Sequence, residues 1–592
     1  MRMDISAWMP VLQPVFFVLR GAAAALTVVL ILWCWQSVRA GRRREEPVVC
    51  LEDRRRGHTL PVLYWENSLG RSKSCDIVLP DTSVSRDHAV LMRRQSGWYV
   101  VDTGSKSGTL LNGRKIHKQT KVLPGDVLRF GGTSLVFRRA TDTPAGQNRR
   151  APRRVPSQGA LLTLATVIQL LLFVQALFAD NSFSLLPVLP CALVLLIEWV
   201  FFAISKAIGR ANFELETIGF LLSGIGIALE CGMRERLTED TPQDLPGPFT
   251  LYHWSLDTVY TQILMMAAGL VVYSFLIWFM KDLDRVNKFR TPVAVLGLLL
   301  LLLPMVPGIG SSSGGATNWI SVGGLSLQPS ELTKLCFIFA GAATLDHLQT
   351  KRNLIGYVLL MAAIMGVLAL ERDIGAAAIF FLTFLIIAFL RSGSMRTVVL
   401  FVALAAVGVF ALLSMFDHVK ARFDIWRHVW EQPYDGGFQQ THVLTYAASG
   451  GLFGVGIGNG GLGAGTAPLS GQTHITGYNS DLVFGVVIEE LGLVLAVAIV
   501  AVFAILIFMA RGEATRSRST FYSITANAAA GMLLVQACLN IFGATDVLPL
   551  TGVTLPFISA GGTSMMCVWG ALAFIKASDE RTYLTQRERR RR

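Results

Sequence analysis

Few charged residues interrupt the apolar stretches of this sequence, and several of those fall where they could do chemistry. Asp373 follows Glu371 and Arg372 at the junction of two apolar runs, and an ionisable group at a membrane edge is a functional candidate by default. The competing reading of Asp373 is an interfacial ion pair with Arg372, a neighbour that favours the ionised carboxylate and weakens it as a base. Glu331 and Lys334 stand three apart at the start of another apolar run, so on a helix they share a face; an internal salt bridge is one reading of them. Gly456, Gly458 and Gly461 satisfy a GxGxxG spacing, yet no strand precedes them and no suitably placed acidic residue follows, so a pliable loop is expected rather than a dinucleotide site. No GxxxxGK[ST], HExxH or serine-elbow motif occurs. The eight cysteines (Cys34, Cys50, Cys75, Cys191, Cys231, Cys336, Cys538 and Cys567) show no CxxC spacing, which argues against a metal cage or a disulfide framework.

The elements that must hold these residues follow from composition. The chain has 592 residues, 52% of them hydrophobic and only 16% charged, with a mean hydropathy of +0.50. An ordinary soluble domain carries about 25% charge, so transmembrane helices are the better use of this composition. A first apolar run covers residues 13 to 35, two follow near 159 to 179 and 184 to 205, and ten more run near 213 to 233, 258 to 280, 291 to 306, 330 to 346, 354 to 370, 374 to 390, 397 to 415, 482 to 509, 520 to 545 and 556 to 576. Arg39 and Arg42 to Arg44 follow the first run closely, which by the positive-inside rule puts the N-terminus outside and residues 37 onward in the cytoplasm. A cleaved signal peptide is the alternative for that run. Arg20 inside it is expected to snorkel to the outer surface. Alternate loops are then basic: Lys281, Arg285, Lys288 and Arg290; Lys351 and Arg352; Arg391 and Arg396; Arg511, Arg516 and Arg518. The formal charge of +13 is therefore read as topology and contact with anionic membrane lipid, not as nucleic-acid binding. Two segments on the outer side, 307 to 334 and about 417 to 481, are unusual for connections, and the second is long enough to be functional.

Residues 48 to 140 are different in kind. Short apolar runs at Thr59 to Trp65, Ile77 to Leu79, Ala89 to Arg93, Trp98 to Asp102, Val127 to Phe130 and Ser134 to Phe137 alternate with turn residues, the pattern of an all-β sandwich. Its turns carry Leu69-Gly70-Arg71-Ser72, Ser85-Arg86-Asp87-His88-Ala89, Gly108-Thr109 and Leu111-Asn112-Gly113. In order and spacing these resemble the forkhead-associated (FHA) domain. The resemblance implies a phosphothreonine site in which Arg71 and Ser85 contact the phosphate, Arg86 adds charge, His88 braces the loop and Asn112 with Gly113 completes the binding edge; a dianionic phosphate suits a guanidinium fork and a hydroxyl donor. Where the family commonly has Thr-Asn before Gly-Thr, this chain has Lys106 and Ser107, which shortens an amide to a hydroxyl and adds a cation suited to an acidic ligand. A sandwich serving only as a spacer is the alternative. A basic linker, 141 to 158, connects it to two accessory helices at 159 to 210, and a basic tail, 578 to 592, closes the chain.

From 211 to 577 the chain resembles the SEDS family of FtsW, RodA and SpoVE, polytopic enzymes that polymerise lipid II into peptidoglycan glycan strands. The motifs are Asn318-Trp319-Ile320 with Gln328-Pro329-Ser330-Glu331 and Lys334; Glu371 to Ala377; Gly437-Phe438-Gln439 with the glycine run 450 to 465, Ser480-Asp481 and Glu489-Glu490-Leu491-Gly492; and Leu548 to Gly552 with Leu555 to Ser559 and Gly561-Gly562. The resemblance implies that Asp373 is the catalytic carboxylate, that Trp319, Glu331, Lys334, Asp481 and Ser559 line the substrate site, and that Lys334 holds the diphosphate while Glu331 orients it or helps to bind a divalent cation, Mg or Mn. No organic cofactor is implied. Relatives usually carry Pro where Arg372 stands, Arg where Asn318 stands, and Pro-Glu and His where Gly477-Tyr478 and Asn479 stand.

The expected protein is thus a polytopic α-helical membrane protein of the bacterial cytoplasmic membrane. It has a ten-helix SEDS core, an anchor at 1 to 40, two accessory helices and a cytoplasmic FHA sandwich. The expected function is a lipid II polymerase acting at the outer face, regulated or recruited in division or elongation through a phosphothreonine-containing cytoplasmic protein, with a class B penicillin-binding protein as partner. A lipid II flippase and a catalytically inactive SEDS-like scaffold remain open beside it.

Overall fold

The computed structural model describes residues 2–4, 6–40, 49–53, 57–62, 66–72, 75–94, 97–139, 156–179, 182–208, 212–237, 258–307, 310–313, 316–322, 325–344, 351–392, 395–415, 417–462, 475, 477–514 and 519–578. Most of the linker, the tail from 579, Gly463, Gly465, Arg516 and Arg518 lie outside them.

Strand β1 (Arg2–Asp4) precedes helix α1 (Met9–Ala40), which extends beyond the apolar run at both ends. The sandwich comprises β2 (Val49–Asp53), β3 (Thr59–Val62), β4 (Glu66–Gly70), β5 (Ile77–Val78), β6 (Ala89–Arg94), β7 (Gly97–Asp102), β8 (Thr109–Leu111), β9 (Arg114–Lys115), β10 (Thr120–Val122), β11 (Val127–Phe130) and β12 (Thr133–Arg139). One sheet has the order β10-β7-β6-β4-β5 and the other β3-β2-β12-β11-β8-β9. Between them lie Leu51, Leu69, Leu91, Val100, Leu128, Phe130, Leu135 and Phe137, a core separate from that of the helices. One sequence expectation changes. Leu69 and Gly70 end strand β4 instead of forming a turn, a strand that Glu66, Asn67 and Ser68 hide from hydrophobic patterning. Arg138 and Arg139 belong to β12, where Arg138 pairs with Glu52 at 2.5 Å.

A helix occurs at each expected apolar run. After α2 (Gln158–Ala176), β13 (Ser182–Ser184) and α3 (Val188–Ala207) come α4 (Glu214–Leu237), α5 (Thr258–Met280) and α6 (Leu283–Leu302). Helix α6 starts eight residues before the apolar run because Asp282 caps it, accepting from Asp284 N. The segment after α6 is a small antiparallel sheet, β14 (Gly310–Ser313), β15 (Ala316–Val322) and β16 (Leu325–Leu327). Then follow α7 (Pro329–Thr344), α8 (Lys351–Glu371), α9 (Ile374–Ser392), α10 (Met395–Met415), α11 (Asp417–Ile425) and α12 (Phe438–Ser449). The run at 482 to 509 is not one helix: α13 (Val483–Val486) passes through a π-helical turn (Val487–Leu491) to α14 (Gly492–Ala514). Helix α15 (Thr520–Ala544) is continuous, whereas α16 (Gly562–Ser578) begins six residues later than expected, since Val553 to Ala560 form an irregular strip with Phe557 at φ +67°.

Helix α16 packs between α5 and α15, burying Trp569 against Phe220, Tyr273 and Phe557. The N-terminal helices are part of this bundle: α1 lies on α2 and α14, and α2 lies on α4, where Gln169 donates to the Phe220 carbonyl at 2.9 Å. Strand β1 pairs with β13. Among the described residues, eight helices are long and apolar enough to cross a membrane, with three shorter apolar helices beside them. The protein is an integral membrane protein.

Candidate functional site

Helix α8 ends in a tight left-handed turn. Arg372 adopts φ +60°, its N–H donates to the Ala369 carbonyl at 3.3 Å, and the Asp373 N–H donates to the Leu368 carbonyl at 3.1 Å. This is the Schellman closure usually given to glycine, here carried by an arginine. It reverses the chain so that Asp373 becomes the N-cap of α9: Oδ1 accepts from Ala376 N at 2.8 Å. The other oxygen, Oδ2, accepts from Asn318 Nδ2 at 2.7 Å and from Gln328 Nε2 at 3.3 Å. Asp373 therefore makes no ion pair with Arg372, whose side chain is exposed. A rigid, partly exposed carboxylate with neutral donors is suited to accepting a proton from a bound hydroxyl.

Behind Asp373 runs a continuous polar network. Gln328 N accepts no proton but donates its own to Thr563 Oγ1 at 3.0 Å, at the start of α16. The next residue, Ser564, bonds Thr554 Oγ1 at 2.9 Å, and Gln536 Nε2 donates to the same hydroxyl at 3.1 Å. Gln536 Oε1 in turn accepts from Lys334 Nζ at 3.0 Å, and Lys334 pairs with Glu331 at 2.8 Å. Both partners are buried, and Lys334 is held between Glu331 and Gln536. Trp319 stands on β15, half-buried, beside Asn318.

The strip from Leu548 to Thr554 connects this cluster to a second one. Gly375 lies against it so closely that a Cβ there would sit 2.6 Å from the Thr551 carbonyl oxygen, and a Cβ on Gly552 would be 3.9 Å from Asp481 Oδ2. Asp481 accepts from Ser480 Oγ at 3.0 Å; burial pushes its carboxyl above the usual range, partly offset by Ser480 and by Arg422. Arg422, on α11, donates to the Leu550 carbonyl at 3.1 Å. Asn540 of α15 ties the two segments, donating to the Asp481 and Val553 carbonyls at 2.9 and 2.7 Å. Ser559 is a strut, not an open contact: its hydroxyl donates to the Ser480 carbonyl at 2.5 Å and accepts from Leu555 N at 2.7 Å, and the residue is buried. Asn479 lies near the buried Glu230 of α4. Sequence reasoning passed over Gln536 and Asn540, although two amides four apart in an apolar run are a signal of an inward polar stripe.

The glycine loop binds the protein's own carboxylates. Gly458 and Gly460 N–H donate to Glu490 at 3.0 and 3.4 Å, Leu462 N–H donates to Glu489 at 3.1 Å, and Gly461 N–H also reaches Glu489. Arg20 donates to the Gly454 carbonyl of this loop.

On the sandwich, Arg71 N and Ser72 N donate to the Ser85 and Arg86 carbonyls at 2.9 and 3.0 Å, so the two loops lie side by side with Arg71 and Arg86 exposed. Ser85 Oγ accepts from Lys106 N at 3.0 Å, and Ser107 Oγ donates to the Ser83 carbonyl at 3.2 Å. His88 is buried beneath them, accepting from Ser85 N at 3.1 Å through Nδ1 and facing the Gly108 carbonyl at 3.3 Å through Nε2. Burial holds its pKa below the ordinary histidine value, with the Gly108 carbonyl and Asp102 opposing. Asn112 differs from expectation. At φ +51° it forms a two-residue turn with Gly113, and its amide is committed within the sandwich, to Asp126 Oδ1 and Val127 N at 2.8 Å each.

Comparison with known proteins matches this geometry to two families. The model for FtsW, RodA and SpoVE, described as a cell cycle protein, matches residues 247–583. The chain belongs to this family. The FHA domain model matches residues 67–131. The peptidoglycan glycosyltransferase RodA of Mycobacterium tuberculosis (strain ATCC 25618 / H37Rv) is 29% identical over 331 residues, covering 53% of this chain and 68% of its own length. The probable peptidoglycan glycosyltransferase FtsW of Nitrosococcus halophilus (strain Nc4) is 30% identical over 351 residues, 58% of this chain and 87% of its own. A solved chain from work on structural coordination of polymerization and crosslinking by a peptidoglycan synthase complex covers 63% of this chain and 99% of itself, at 22% identity and a TM-score of 0.48.

Proposed function

We propose that the protein is a peptidoglycan glycosyltransferase that polymerises lipid II at the outer face of the bacterial cytoplasmic membrane, with its FHA domain binding a phosphothreonine-containing protein in the cytoplasm. The observation that carries this is the Asp373 carboxylate, fixed by Ala376 N, Asn318 and Gln328 in a member of the FtsW and RodA family. In the reaction, Asp373 takes the proton of the acceptor sugar's 4-hydroxyl. That oxygen forms the new glycosidic bond to the donor's anomeric carbon, and the bond from that carbon to the lipid diphosphate breaks, the diphosphate leaving with the electron pair. Arg422 beside Asp481 supplies positive charge near the strip that joins the two carboxylates. Among the described residues no three His, Cys, Asp or Glu side chains converge on one point, so a Mg or Mn ion here would be bound mainly through the substrate's diphosphate.

By the positive-inside rule the basic loops support a topology with the FHA domain and the C-terminus in the cytoplasm and the N-terminus outside, and Arg285, stacked 4.5 Å over Trp278, with Lys288 suits anionic headgroups. A class B penicillin-binding protein would crosslink the new strand. Purified full-length protein incubated with fluorescent lipid II and a divalent cation should yield glycan polymer, and Asp373→Asn should yield none above about one hundredth of that rate. No polymer from the wild type, even with its penicillin-binding partner, overturns the reading; lipid II translocation that survives in Asp373→Asn replaces it with a flippase.

A further inference from the structure

Helix α1 lies outside the matched family region, yet it packs on the glycine loop within that region. Its residues Phe17, Arg20 and Gly21, spaced to share one helical face, rest on the loop between α12 and Asp481. The Phe17 and Phe453 rings meet edge-on at 5.5 Å, and a Cβ on Gly21 would touch Phe453 at 4.0 Å. Arg20 donates through Nη1 to the Gly454 carbonyl and through Nε to the Phe16 carbonyl at 3.3 Å. A cation within an apolar helix is costly, and here its donors are directed to a backbone that has little freedom. Gly454 has φ +77°, and a Cβ there would lie 2.2 Å from the Glu490 carbonyl oxygen. Val455 N and Gly456 N donate to the Glu489 and Glu490 carbonyls at 2.9 Å each. The loop is thus seated on the π-helical turn from one side and fastened by Arg20 from the other. A few residues on, Gly458 to Leu462 engage the Glu489 and Glu490 carboxylates, and the turn that carries those carboxylates continues α13, which begins two residues after Asp481.

We propose that Arg20 is a positioning residue: it fastens to α1 the glycine loop that is seated on the π-helical turn, and so sets the place of the Asp481 segment for glycosyl transfer. The second half of that statement rests on the transferase reading above, and the first half does not. Hydrogen exchange on the full-length protein in detergent tests the fastening. In Arg20→Ala the amides of Val455 and Gly456 should exchange about tenfold faster than in wild type, as loss of a charge-assisted hydrogen bond implies, while amides of α15 are unchanged. In the lipid II assay the same variant should lose about tenfold in kcat with KM within twofold, and Arg20→Lys, which keeps a charged donor, should recover most of both effects. If Arg20→Ala does not accumulate, Arg20→Gln provides the same comparison. Wild-type exchange in the loop overturns the fastening. Faster exchange with wild-type kcat overturns the positioning role, and if no version polymerises lipid II the exchange result still decides the fastening while the transferase reading falls.

Discussion

Asn318 and Gln328 share one oxygen of Asp373, so removing either amide leaves the carboxylate freer to rotate. Asn318→Ala should slow lipid II polymerisation about tenfold, read from initial rates, because one hydrogen bond to a charged group is worth roughly 1.5–3 kcal/mol. Lys334→Met tests the other end of the network. It strands the Glu331 carboxylate among buried groups, and unfolding in detergent should show about 3–5 kcal/mol of destabilisation, much of it recovered by adding Glu331→Gln. Gly70→Ala would push a Cβ to 2.1 Å from the Arg86 carbonyl oxygen, at the join of the two phosphate-facing loops. It should cost the FHA domain about 1–3 kcal/mol and weaken phosphothreonine-peptide binding, measured by calorimetry.

At the scale of elements, Asp373 caps α9 in addition to its proposed duty as proton acceptor. Asparagine caps about as well as aspartate but cannot accept the proton, so Asp373→Asn should keep its melting temperature while Asp373→Ala loses about 1 kcal/mol as well as activity. The phosphate loops have a pH limit of their own. His88 is held below the histidine value near 6.5, so it favours the fold as the neutral imidazole. The unfolded chain binds the extra proton first as pH falls. That stabilisation is complete above about pH 6.5 and is lost as pH drops from there toward the lowered folded value, with a slope of at most about 1.4 kcal/mol per pH unit. Unfolding of the FHA segment measured between pH 8 and 5 should show this slope, and His88→Asn should flatten it.

At the scale of the whole molecule, α15 links the two ends of the protein. Its N-cap, Ser519, meets Glu66 of the sandwich at 3.5 Å, while Gln536 and Asn540 hold the Lys334 and Asp481 segments roughly 30 Å away along the helix. The sandwich nevertheless has its own core. Leu91→Ala, which empties a fully buried position, should destabilise the FHA domain by about 2–5 kcal/mol and abolish peptide binding, yet leave the melting of the helical bundle unchanged in a calorimetric scan.

Hydrophobic runs located the long helices, and loop motifs located the sandwich, because burial against lipid or a core imposes a period that one chain reveals alone. Those signals are local. They said that Asp373 stands at a helix junction, but Asp373's partners lie 55 and 45 residues away, on Asn318 and Gln328. Ion-pair spacing joined Glu331 to Lys334, whereas Gln536, 202 residues on, needed the packing of α15 beside α7. The same holds for Ser559 and Asn112, whose motif positions suggested contact with a ligand and whose polar groups the fold uses internally. Sequence determined which residues are scarce and polar in an apolar chain; only tertiary structure decided which of them remain open, because a polar group buried by folding must find its partner wherever the fold brings one.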